Sequence, residues 1–224
     1  MGHVDAAFYL CEDPACNFRF PATILPVDAE ICPLCGAAAT LVAPVITHPD
    51  ETNERVQATA ARPGLFALVD NLRSIYNVGS IFRTADGAGF GHLFLCGITP
   101  TPHNPRLGKT ALGAERAVAW SHHNNSIALA HRLHAQGHQL WVLEETPAAT
   151  SLFSSELPWE TVGHGQAPLV LVVGNETVGV DPELLALADQ TIILPMLGVK
   201  RSLNVATAFG IAAYLIAMHT LTNA

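Results

Sequence analysis

Leu169-Val170-Leu171-Val172-Val173 is an unbroken apolar run, and it constrains the fold more than any other stretch of the chain. A strand with one wet face alternates polar and apolar residues, whereas a strand without alternation is buried on both faces. Such a strand belongs in a parallel sheet covered by helices on both sides. Residues 66–69, 92–97, 140–143 and 191–194 read as further short apolar strands. Helical segments alternate with them: 78–88 with Gly89 as its stop, 126–137, and 203 to about 219. Another begins at Asp181-Pro182-Glu183, with Asp as N-cap and Pro in the first position. The expected class is α/β, a parallel sheet with helices on both faces.

Half of the 224 residues are hydrophobic and 13% are charged, which suits a well-buried core. No run of about 18 uncharged apolar residues is present to cross a bilayer. The longest apolar tract, 205–218, is interrupted by Thr207 and Gly210 and reads as a buried helix. Met1-Gly2-His3-Val4-Asp5 lacks the basic and apolar regions of a signal peptide, so a cytoplasmic location is expected. The net charge of −8 argues against a general nucleic-acid binder held by counterion release. It leaves room for an RNA enzyme with a local basic site.

Four of the five cysteines fall early, as Cys11-x4-Cys16 and Cys32-Pro33-Leu34-Cys35-Gly36. Two thiol pairs on tight turns suit a tetrahedral Zn²⁺ site with no open position. Disulfides are the rival, disfavoured in a chain with no export signal. The pattern resembles a zinc ribbon, with the aromatic pair Phe18 and Phe20 expected in its core, although Arg19 and the aromatics could also touch RNA. So small a unit would draw much of its folding energy from the metal. The fifth cysteine, Cys96, reads as a buried inert thiol. The polar stretch 47–63, with Asp50 or Thr52 able to cap a short helix, reads as a linker. The expected division is a ribbon-like domain over 1–46, that linker, and a larger domain over 64–224.

Three strand-to-helix loops carry the chemistry. The first is Asn71-Leu72-Arg73-Ser74-Ile75-Tyr76-Asn77-Val78-Gly79. Asn77 stands where an N-cap would, Gly79 permits a close approach to the first turn, and Arg83 lies further along the helix. An Asn and an Arg at a strand's carboxyl end can hold a phosphate or a ribose oxygen. A capped helix with a surface arginine is the plain alternative. The second is Gly174-Asn175-Glu176-Thr177-Val178-Gly179. If Glu176 is buried it must accept hydrogen bonds from backbone or from an asparagine; a solvated loop glutamate is the alternative. The spacing is not Gly-x-Gly-x-x-Gly, so the dinucleotide fingerprint is absent. The third is Leu194-Pro195-Met196-Leu197-Gly198 followed by Ser202-Leu203-Asn204-Val205. It exposes main-chain groups in a loop and sets two short polar side chains at a helix N-terminus.

In order and separation these loops resemble the three motifs of the SpoU family, the TrmH-like branch of the SPOUT RNA methyltransferases. Asn77, Gly79 and Arg83 match the first motif, and Gly174, Glu176 and Gly179 the second. Pro195-Met196-x-Gly198 with Ser202-Leu203-Asn204-Val205 matches the third. The segment Lys109-Thr110-Ala111-Leu112-Gly113-Ala114 is similar to the family's connection between the first two. The likeness covers about residue 64 to the end. It implies a C-terminal deep trefoil knot, an exception to the rule against threaded chains. It also implies S-adenosylmethionine held in a bent form, a homodimer in which each site borrows from its partner, and methyl transfer to a ribose 2′-hydroxyl of tRNA or rRNA. The cofactor would be contacted by Gly174, Leu194, Met196, Gly198 and Leu203, largely through the main chain. Arg83, Asn77, Glu176, Ser202 and Asn204 correspond to the polar catalytic group.

The family gives Arg83 the role of base. A guanidinium with a pKa above about 12 is a poor base, so holding the substrate phosphate and acidifying the hydroxyl is the other role open to it. Glu176 is expected to orient Asn77 or Asn204, and Ser202 and Asn204 to contact the ribose or the methionine part of the cofactor. Departures from the pattern are Ala206 where serine is more usual, a short or missing C-terminal extension, and a zinc ribbon in place of the usual front domain. A non-catalytic RNA- or protein-binding module on the same fold, and a base methyltransferase, are the competing functional classes.

Overall fold

The computed structural model describes residues 6–23, 31–44, 64–162 and 166–222. The expected linker over 47–63, with its caps Asp50 and Thr52, lies outside the described residues. The chain divides into two compact units, Met1–Gln57 and Ala58–Ala224.

The first unit is a three-stranded antiparallel sheet of β1 (Ala6–Cys11), β2 (Arg19–Thr23) and β3 (Ala39–Pro44), in the order β2-β1-β3. Among the described residues its core is Ala7, Tyr9, Cys11, Phe20, Cys32 and Ala39, a small apolar surface for a unit to stand on unaided. Phe20 is buried as expected. Phe18 is not: it is 38% exposed and stacks on Phe20 with centroids 5.6 Å apart. It precedes β2, so it lies over the end of the small core and not inside it.

The second unit alternates strands and helices. In chain order these are β4 (Leu65–Asp70), α1 (Ile75–Ala88), β5 (His92–Cys96), α2 (Pro105–Ala111), α3 (Ala114–Ala117), β6 (Ala119–His123), α4 (Ser126–Ala135) and β7 (Gln139–Leu143). Then come β8 (Thr150–Ser151), a 3₁₀ turn at Trp159–Thr161, β9 (Leu169–Val173), α5 (Pro182–Ala186), β10 (Gln190–Ile193) and α6 (Val205–Thr222). The seven strands form one sheet in the order β6-β5-β4-β9-β7-β10-β8, and each pairing is parallel.

The apolar run that set the expectation sits at the centre. All of β9 is at most 1% exposed. Each such side chain gains about 1.5–3 kcal/mol from leaving water, before entropy is subtracted. Alternation sends Leu169, Leu171 and Val173 to one face, under Phe82 of α1 and Phe209 and Ile216 of α6. Val170 and Val172 point to the other, under Leu129 and Leu133 of α4 and Leu184 of α5. The sheet is therefore covered on both sides, as expected. Cys96 is fully buried, and desolvation, helped by the nearby Asp70 charge, pushes its thiol up to about 12; it is inert. No helix among the described residues is long and apolar enough to cross a membrane.

One local expectation, the cap of α1, needs correction, and the close approach expected at Gly79 is present. Helix α1 begins at Ile75, and its N-cap is Ser74, whose Oγ accepts the Asn77 backbone N–H at 3.3 Å. Asn77 is thus inside the first turn, with its side chain free for other work. At Gly79 the close approach is made by the protein itself. A Cβ there would stand 1.9 Å from Thr110 Oγ1 and 3.0 Å from the Ala111 nitrogen, so helix α2 occupies the space.

Candidate active site

At the carboxyl ends of β7, β9 and β10 the chain leaves a cavity of about 600 Å³, within the usual range for a small-molecule site. Leu143, Val173, Ile193, Leu194, Val205 and Ala208 form its apolar wall. Glu144, Glu145, Asn175, Glu176, Arg201, Ser202 and Asn204 are among its polar lining.

Hydrogen bonds tie the three loops together. Glu176 accepts the backbone N–H groups of Arg73 and Ser74, each at 3.1 Å, and the Asn77 Nδ2 amide at 2.9 Å. Asn77 Oδ1 in turn accepts from Asn204 Nδ2 at 3.1 Å. Asn204 Oδ1 accepts the Ala206 N–H at 3.0 Å and so caps α6. Because that oxygen is committed to the helix N-terminus, the orientation of both amides follows along the chain. Asn175 adds a second link, donating from Nδ2 to the Asn71 carbonyl at 2.7 Å. Glu176 is exposed, yet firmly held. Partial burial works against its charge, but the N–H donors from Arg73, Asn77 and Ser74 outweigh it and hold the carboxyl below its ordinary range. It is a carboxylate that receives hydrogen bonds, and it is not poised as a base.

The glycines of the second loop serve the same assembly. A Cβ on Gly174 would meet the Gly179 carbonyl at 2.6 Å, and Gly179 itself has φ +77°. The loop folds back on its own backbone at that point, with the Asn175 and Gly179 main chains paired at 3.0 Å in both directions. Glu144 holds the outer side of this turn. One carboxylate oxygen accepts the Val180 N–H at 2.9 Å, and the other accepts the Glu145 N–H at 2.9 Å.

Of the residues singled out in the sequence, Gly174, Glu176, Leu194, Met196, Ser202, Leu203 and Asn204 line the cavity. Asn77 reaches it through its two hydrogen bonds. Arg83 is exposed on α1, and neither it nor Gly198, which sits in an exposed loop, belongs to the lining. Sequence reasoning missed Glu144, Glu145 and Arg201. The Glu144 partner Val180 is 36 residues distant, so no local pattern announces the contact.

In the first unit the Sγ atoms of Cys11, Cys16, Cys32 and Cys35 all lie within 4.8 Å of one another. Cys11 and Cys35 are 3.4 Å apart, Cys16 and Cys32 3.8 Å. The knuckle turns are closed by backbone bonds from Cys16 N to Asp13 O at 3.1 Å and from Gly36 N to Cys32 O at 2.9 Å.

Solved structures that resemble this fold include RNA methyltransferases. The described fold superposes on the AdoMet-bound rRNA methyltransferase from Sinorhizobium meliloti with a TM-score of 0.63 and 26% identity, over 70% of this chain and 57% of that one. It superposes on the Aquifex aeolicus TrmH/SpoU tRNA modifying enzyme with a TM-score of 0.64 and 25% identity, over 76% and 84%. Residues 64–214 match the SpoU rRNA Methylase family, and the chain belongs to that family. The tRNA (guanosine(18)-2′-O)-methyltransferase of Aquifex aeolicus is 31% identical over 150 residues, 67% of each chain. Its Escherichia coli counterpart is 30% identical over 154 residues, 68% of this chain and 62% of that protein. The chain thus spans about two thirds of the length of these relatives, with a cysteine-bearing first unit outside the matched region.

Proposed function

We propose that this protein transfers a methyl group from S-adenosylmethionine to a ribose 2′-hydroxyl of tRNA or rRNA. The observation that carries the reading is the Asn204–Asn77–Glu176 chain of hydrogen bonds, which joins three sequence-distant loops at the mouth of one cavity. The relatives named as 2′-O-methyltransferases support it.

The cavity fits that cofactor. Leu143, Ile193 and Leu194 offer an apolar slot for a purine, and Gly174 lines the same space. Gly174, Leu194, Met196 and Leu203 are assigned to the cofactor. Bound there, it would supply an electrophilic methyl group on a sulfonium that departs as a neutral thioether, and the displaced hydroxyl proton would pass to solvent water.

What the chain's own residues contribute is orientation. Every acceptor in the relay is occupied, while Asn77 and Asn204 each keep one amide hydrogen unspent. They present donors to ribose oxygens, and Ser202 adds a hydroxyl beside them. Holding the acceptor oxygen in line supplies on the order of several kcal/mol of the barrier. Arg83, a permanent cation on the exposed face of α1, is assigned to the substrate phosphate, where its charge also eases loss of the hydroxyl proton.

Tetrahedral cysteine ligation fits the first unit, and we assign Cys11, Cys16, Cys32 and Cys35 to a structural Zn²⁺ in a ribbon over residues 1–46, followed by a linker and the catalytic domain over 64–224. The C-terminal trefoil knot, the homodimer and a cytoplasmic location complete the proposal. Isothermal calorimetry with S-adenosylmethionine, followed by nucleoside analysis of RNA incubated with both, tests it. Cofactor binding with 2′-O-methylated nucleosides is the expected outcome. Methylated bases, or RNA binding without cofactor binding, would overturn it.

A further inference from the structure

The charges lining the cavity are unevenly committed. Three acidic residues and one arginine line it: Glu144, Glu145, Glu176 and Arg201. Glu144 and Glu176 each spend both oxygens on N–H donors. Glu145 gives only its backbone N–H, to Glu144, and its carboxylate has no hydrogen-bond or ion-pair partner among the described residues. Arg201 likewise has none. The lining residues therefore carry more negative than positive charge, and Glu145 is the one carboxylate among them with no partner among the described residues.

Resting on the cofactor reading above, we propose that Glu145 makes the cavity select the cationic sulfonium cofactor over its neutral thioether product. The two ligands share adenosine, an ammonium and a carboxylate. They differ in one methyl group and one positive charge on sulfur. Shape and hydrogen bonding treat them nearly alike, so a negative wall is what tells them apart. After transfer the positive charge is gone, the attraction to the wall goes with it, and the product dissociates more readily. An unengaged carboxylate at the end of a strand, beside two that are fully engaged, has no structural duty that competes with this role.

Calorimetric titration of the whole protein with S-adenosylmethionine and, separately, S-adenosylhomocysteine tests the idea without any turnover. Because Glu145 is exposed, the effect is screened, and the expected preference for the sulfonium is roughly tenfold at low salt, falling as salt rises. Glu145→Gln keeps the size and removes the charge, and is expected to reduce the preference to about twofold to threefold. Arg201→Gln removes the opposing charge and is expected to raise it. Shifts in opposite directions cannot arise from a general loss of folding. Equal wild-type affinity for the two ligands, or an unchanged ratio in Glu145→Gln, overturns the proposal and leaves the cofactor reading standing. Binding of neither ligand to the wild type overturns both.

Discussion

Asn77 donates its side-chain amide to Glu176 at 2.9 Å although 99 residues separate them. The contact is possible because Ser74, and not Asn77, caps α1, so Asn77 can turn across to the loop that follows β9. The same side chain then receives Asn204 from the third loop. One residue therefore registers three connections of a parallel sheet at its carboxyl edge, the usual place for ligands in such folds.

Removing that residue should uncouple chemistry from folding. Asn77→Ala leaves Glu176 two backbone donors and leaves Asn204 without its acceptor. We expect methyl transfer to fall about 10²- to 10³-fold, the usual loss for one oriented donor, while stability drops by only about 1 kcal/mol. Single-turnover methylation alongside urea denaturation measures both. A loss of stability large enough to account for the inactivity would refute the positioning role.

Two carboxyls pull the acid limb of the stability curve in opposite directions. Glu176 is held below its ordinary value of 4.5. Its contribution is therefore complete above pH 4.5 and drains as pH falls through the lowered folded value. Asp70, 2% exposed at the end of β4, is raised above 3.8 by burial, against hydrogen bonds from Ser126 and Asn71 and with the Asp181 charge adding to the rise. It favours the folded state least once pH has climbed past its raised value. Glu176→Gln should flatten the decline below pH 4.5, whereas Asp70→Asn should gain relative to wild type as pH rises from about 4. Unfolding midpoints between pH 3 and 7, chosen to bracket carboxylate titration as a rough range, decide it; parallel curves for all three proteins contradict the assignment.

A methyl group at position 79 has nowhere to go. It would lie 1.9 Å from Thr110 Oγ1 and 2.6 Å from Thr110 Cβ, forcing α1 and α2 apart. Gly79→Ala should cost about 1–3 kcal/mol, read as a lower urea midpoint. Thr110→Gly in the same chain should recover part of it, though Ala111 N at 3.0 Å limits the rescue. A Gly79→Ala protein as stable as wild type would mean that the two helices pack less closely than described.

Arg83 lies outside the cavity lining, so its role must be read from kinetics. If it grips phosphate through its forked donors, Arg83→Lys keeps the charge and loses the fork. We expect both weaker RNA binding and a slower single-turnover rate, the second because the hydroxyl loses its positioned cation. A defect confined to RNA affinity, with the saturated rate intact, would contradict any part for Arg83 in the chemistry.

How far the sequence disclosed this molecule depended on range. Strand β9 was legible because burial on both faces leaves no alternative to an unbroken apolar run. Strand β6 was not: Ala119-Trp120-Ser121-His122-His123 is an edge strand, partly exposed, and has no apolar signal to give. The three loops could be found by their polar residues and glycines, but the cap of α1 could not be chosen. Ser74 and Asn77 are both competent caps, and the choice is made by Glu176, a hundred residues downstream. Arg201 and Glu145 escaped notice because nothing local separates a cavity-lining charge from a solvated one.

The cysteine cluster makes its own prediction. Among the described residues its unit has a core of six buried side chains, so the folding energy is expected to come largely from ligation. Purified protein should contain one equivalent of zinc, and Cys32→Ser or a strong chelator should unfold residues around β1 to β3. The 64–222 region has an independent two-sided core and should keep its transition. Metal analysis with hydrogen exchange on both proteins separates the possibilities. A full equivalent retained by Cys32→Ser would refute four-cysteine ligation, and loss of protection throughout the chain would show that the two units do not fold independently.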